Sequence, residues 1–63
     1  MGKGIDPGWR VEVSLVKVNG QPRYLWRAVD QMGEVLDIYA TATRTEQDER
    51  AALQFLKQAL KGR

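Results

Sequence analysis

Trp9-Arg10-Val11-Glu12-Val13-Ser14-Leu15-Val16-Lys17-Val18-Asn19-Gly20-Gln21-Pro22-Arg23-Tyr24-Leu25-Trp26-Arg27-Ala28-Val29-Asp30 is the stretch that decides the fold. An Asn-Gly pair between alternating apolar residues signals a two-residue hairpin, because both turn positions need φ > 0. Val18 then pairs with Gln21. Counting outward, Leu15 faces Tyr24, Val13 faces Trp26 and Val11 faces Ala28. One face of the hairpin carries Trp9, Val11, Val13, Leu15, Tyr24, Trp26 and Ala28.

Asp30-Gln31-Met32-Gly33 supplies a second turn. Asp suits the first position of a type I turn, and Gly accepts the left-handed position that closes it. Asp30 then pairs with Glu34, Ala28 with Leu36 and Trp26 with Ile38. A third strand over 34–42 places Leu36, Ile38 and Ala40 on the apolar face. This scheme requires Ile38 and Trp26 on one side of the sheet. A helix follows. Thr45 and Asp48 have capping spacing, and Glu46, Asp48 and Glu49 suit the positive end of a helix dipole. Ala52, Leu53, Phe55, Leu56, Ala59 and Leu60 form a stripe at helical period, and Gly62 ends it. The stripe must bury against the apolar sheet face. The expectation is an α+β unit, β-β-β-α: a three-stranded antiparallel meander with one C-terminal helix packed on one face. Residues 1–8, with three glycines and a proline, read as a lead-in, and 9–63 as a single domain.

Sixty-three residues hold one small core. A chain of this size buries only roughly 60% of its unfolded surface, so association with another chain is a natural source of stability. There is no Cys and no His, which removes disulfides, thiolate ligands and the usual general base. A net charge of +2, from ten basic and eight acidic residues, does not demand a nucleic-acid partner. No apolar run is long enough to span a bilayer, and the start lacks the layout of a signal peptide. The expectation is a cytoplasmic chain without a membrane partner.

The second sheet face is expected to carry Arg10, Glu12, Ser14, Val16, Arg23, Leu25, Arg27, Val29, Val35, Asp37, Tyr39 and Thr41. In that register Arg27 lies between Glu12 and Asp37, an ion-pair cluster worth a few tenths of a kcal/mol to about 1. Val16, Leu25, Val29, Val35 and Tyr39 are interface candidates on the same face. Strand one also has an open edge, with Lys17 its main internal deterrent to pairing.

Trp9–Gly20, Tyr24–Asp30 and Gly33–Asp37 together resemble the opening of the catalytic core of DDE insertion-sequence transposases. That core begins Trp-Arg-Val-Asp-Glu-Thr and continues into Tyr-Leu-Tyr/Trp-Arg-Ala-Val/Ile-Asp. The resemblance runs from Trp9 into the helix around Phe55, Leu56 and Lys57, with extra residues near 45–47. It implies half of a ribonuclease H-like fold and a family chemistry in which three carboxylates hold two divalent ions, magnesium in the family. The family's first catalytic aspartate falls on Glu12, whose carboxylate stands one methylene further out. Misplacement by about 1 Å can cost on the order of a hundredfold in rate. Val13 and Ser14 stand where the family has Glu and Thr. Asp30 and Asp37 match non-catalytic positions. The other two catalytic carboxylates are expected beyond these residues, as in a relic or detached half of a transposase core.

Three functional expectations follow. The first is a catalytically incomplete, self-associating interaction module with no cofactor. It would be a homodimer through the strand-one edge or the second sheet face, or a partner of a full-length transposase. The second is nucleic-acid binding through Arg50, Lys57 and Lys61 on the outer helix face. The third is a metal-dependent nuclease or strand-transfer enzyme. It would need Glu12 together with Asp37, and Arg27 between them would compete with the metal.

Overall fold

The computed structural model describes residues 8–61. Strands β1 (Trp9–Val18), β2 (Gln21–Asp30) and β3 (Val35–Thr41) precede helix α1 (Glu46–Ala59). The sheet is antiparallel with order β1-β2-β3, so the meander and its following helix stand as expected. Most of the lead-in over 1–8 and the helix stop at Gly62 lie outside the described residues.

The first hairpin follows from its turn. Asn19 and Gly20 both have positive φ, 53° and 78°, which two-residue turns of this hand require. An unbroken ten-pair register runs from Val18↔Gln21 to Trp9↔Asp30. Pro22 stands opposite Lys17, below the end of β3 pairing at Tyr24↔Thr41, so its missing N–H leaves no β3 partner unmatched.

The second hairpin begins as its turn dictates. Gly33 donates to the Asp30 carbonyl at 3.1 Å, and the Asp30 N–H donates to the Glu34 carbonyl at 3.0 Å. The Asp30 carboxylate also accepts from the Met32 and Glu34 amides. Gly33 has φ +86°, the left-handed closing position. Val29 pairs with Val35, but Ala28 pairs with Asp37. Leu36 is therefore an extra residue, and it shifts everything beyond it by one.

That bulge corrects the expected faces of β3. Trp26 pairs with Tyr39 and Arg27 with Ile38, rather than Trp26 with Ile38. Side chains alternate across a strand, so one inserted residue exchanges the faces. Ile38 lies on the opposite side of the sheet from Trp26 and is 45% exposed. Tyr39 takes its place against the core. The helix still has an apolar face to cover, because Leu36 at the bulge also packs inward.

The core is Trp26, Ala28, Ala52, Leu56 and Leu60, with Trp9, Val11, Val13, Leu36 and Tyr39 packed against it. The buried positions of α1 are Ala52 and Leu56, one turn apart, and Leu60 at the helix C-cap continues the same line. Leu53 is half-buried; Ala59 and Phe55 are exposed, although the Phe55 ring lies 4.9 Å from that of Tyr39. The Trp26 indole N–H donates to the Thr41 hydroxyl at 2.8 Å, which in turn donates to the Thr43 carbonyl. Thr45 caps α1: its hydroxyl accepts from the Asp48 N–H at 3.1 Å, and the Asp48 carboxylate accepts from the Thr45 N–H at 2.9 Å. Among the described residues, no helix is long and apolar enough to cross a membrane.

Candidate functional site: the Glu12 cluster on the open sheet face

Helix α1 covers one face of the sheet and leaves the other open. Glu12 stands mid-strand in β1 on that open face, opposite Arg27 of β2. One Arg27 guanidinium nitrogen lies 3.6 Å from the Glu12 carboxylate. Arg10, two residues along the same strand, sits closer. Its Nε and a terminal nitrogen donate to the other carboxylate oxygen at 3.2 and 2.9 Å. A further Arg10 nitrogen donates to the Asp30 carbonyl at 3.4 Å. A shallow cleft of about 160 Å³ opens beside Arg10, lined by Gly8, Trp9, Asp30 and Gln31.

Asp37 does not join this cluster. The bulge sets it opposite Ala28, in register with the helix-covered face, and its carboxylate accepts from the Ile38 N–H at 2.8 Å. The expected Glu12–Arg27–Asp37 cluster is corrected to Arg10–Glu12–Arg27. Residues i and i+2 of a strand share a face, so the Arg10–Glu12 neighbour was visible in the alternation. These are half-exposed pairs, each worth about 0.2–1 kcal/mol. The Arg27 Nε is buried without a hydrogen-bond partner.

The neighbouring positions also need correction. Tyr39 belongs to the helix-covered face, against Phe55, and not to the open one. Val29 is on the open face but only 3% exposed, already enclosed within the chain. Val16 and Leu25 are half-buried on that face, and Val35 is 47% exposed. Ile38 and Ala40 complete the face and were missed, because their placement depends on the bulge. Along β3 the open face is therefore apolar, while along β1 it is charged at Arg10 and Glu12 and turns apolar at Val16 and Val18. Arg50 and Lys57 are exposed on α1, with Arg50 3.8 Å from Glu46, and Lys61 is exposed in the turn past the helix end rather than on its outer face.

Two divalent ions need several oxygen ligands free of competing cations. Glu12 offers one carboxylate already engaged by two guanidinium groups. Among the described residues, no three acidic side chains stand close enough to hold a metal. The donor set around Glu12 does not fit such a pair of ions.

Residues 6–63 match the family defined as a DDE domain, of the IS240 transposase type. The chain belongs to this DDE transposase family. Its DDE sequence is 36% identical over 53 residues to the transposase for insertion sequence-like element IS431mec of Staphylococcus aureus strain Mu50, a stretch covering 84% of this chain and 22% of that protein. The same identity and coverage hold for the S. aureus transposase of insertion sequence element IS257 in transposon Tn4003. Uncharacterized protein pYV0051 of Yersinia pseudotuberculosis strain IP32953 is 34% identical over 56 residues, covering 89% of this chain and 50% of that protein. The chain thus spans about a fifth of the length of the transposases it matches. No solved structure matches it.

Proposed function

We propose that this stretch of DDE domain acts as a non-catalytic interaction module that self-associates. The observation that carries this reading is the asymmetry of its coverage. The backbone of α1 runs nearest β3, while Leu15 of β1, on the helix-covered face, stays 60% exposed. On the other face Val18, Val35 and Ile38 are 49%, 47% and 45% exposed. A small chain with this much uncovered apolar surface gains stability by pairing. The Arg10–Glu12–Arg27 contacts support a structural use of Glu12 in place of metal chemistry. Sedimentation equilibrium over a range of concentrations tests the proposal. A mass that rises from one chain to two supports it, and a single-chain mass throughout overturns it.

A second reading rests on Arg50 and Lys57 of α1 and Lys61 in the turn just beyond it, all exposed. It is a weak, sequence-independent affinity for DNA, inherited from a transposase. Such binding would weaken steeply as salt is raised. No binding to a duplex at low salt removes it.

A further inference from the structure

We infer that the second copy in this self-association docks on the free edge of β1, antiparallel, with its two-fold axis at Val13. The inference rests on the self-associating reading above and specifies its surface. Its starting point is the direction of the β1 backbone groups. In a two-residue hairpin the residues flanking the turn exchange both hydrogen bonds, and such pairs recur at every second position. With Val18↔Gln21 as the closing pair, Val18, Val16, Ser14, Glu12 and Arg10 spend their N–H and C=O groups on β2. Trp9, Val11, Val13, Leu15 and Lys17 direct theirs away from β2. Among the described residues, no strand lies on that side.

The edge is self-complementary in one register above others. Centred on Val13, a second β1 matches all five outward residues: Val13 with Val13, Val11 with Leu15, Trp9 with Lys17. The ladder then runs about 30 Å, the full strand. Leu15, the most exposed apolar side chain of the strand, gains Val11 of the second copy as its cross-strand neighbour. On the open face Glu12 meets Ser14 and Arg10 meets Val16, so no like charges stand opposite one another. A register centred on Glu12 would oppose two carboxylates. Registers centred on Val11 or Leu15 leave outward residues unmatched. The same pairing carries each helix-covered face onto the same side, giving one six-stranded sheet.

Amide exchange of the wild-type protein at low and high concentration tests this, together with Leu15→Pro. Proline at Leu15 removes an N–H that β2 does not use and a side chain that is mostly exposed. The expected result is that the amides of Val11, Val13 and Leu15 become about tenfold or more protected as concentration rises. Those of Glu12 and Ser14 stay protected throughout. Leu15→Pro should keep the wild-type circular dichroism and sediment as one chain. If a dimer forms while the Val11, Val13 and Leu15 amides exchange equally fast at both concentrations, this inference is overturned and self-association stands on another surface. If the wild type is a single chain at every concentration, the parent reading falls and takes this one with it.

Discussion

The sheet has two edges, and they are finished differently. β3 is seven residues long, interrupted by the Leu36 bulge and overlain by α1, whose Phe55 ring reaches Tyr39. Short length, a bulge and a covering helix are the devices by which proteins keep an edge from pairing with other chains. β1 is ten residues long and regular from end to end. Lys17 is the one charged residue among those whose backbone points outward. The difference teaches that the fold closes one flank from within and leaves the other dependent on something outside it.

The largest break in that comparison is to remove the closure. Leu56, on the inner side of α1, is fully buried in the cluster that includes Trp26 and Ala28. Leu56→Ala should cost about 2–5 kcal/mol, the range for a leucine cavity, a large part of what a domain this small possesses. Denaturant melts would show it as a lowered midpoint. A loss below about 1 kcal/mol would mean that α1 does not hold β3 in place.

How far the sequence leads is clearest at the two turns. Asn19-Gly20 admits one turn geometry and fixes ten pairs, and Val11, Val13 and Trp26 sit where that count puts them. The Asp30–Gly33 turn is equally legible, and Glu34 does bond back to Asp30. The face of β3 was not legible from alternation, because Leu36, Ile38, Ala40 and Val35, Tyr39, Thr41 are both plausible apolar-leaning sets. A one-residue bulge changes the phase of a period of two, and here either phase leaves an apolar-leaning set. The Trp26 indole did hold the answer. A buried indole N–H needs an acceptor, and only the bulged register brings Thr41 onto its side. The candidate site shows the same limit: Glu12↔Arg27 followed from the first turn, whereas Asp37 as its third member depended on the unbulged second hairpin.

Smaller effects come from the N-cap that fixes where α1 begins over β3. Thr45→Ala should cost about 1 kcal/mol, the usual loss for a capping hydroxyl, read as a lower melting midpoint with β1–β2 contacts intact. Least of all is the effect of acid on the same cap. The Thr43 hydroxyl, the Thr45 N–H and the Thr45 hydroxyl all donate to the Asp48 carboxylate, and together they hold its pKa below the ordinary aspartate value. A carboxyl whose pKa is lower folded than unfolded contributes fully above the unfolded value, about 4. The contribution is lost as pH falls through the folded value. Acidification from about pH 5 to about pH 2 should therefore weaken the wild-type helix start more than that of Asp48→Asn, which has no proton to gain. Amide exchange in the first turn of α1 and at Tyr39 and Thr41 should quicken before the β1–β2 ladder does. The cap serves the closed edge alone, so equal acid sensitivity at Val11 and Tyr39 would show that the two flanks are not independently secured.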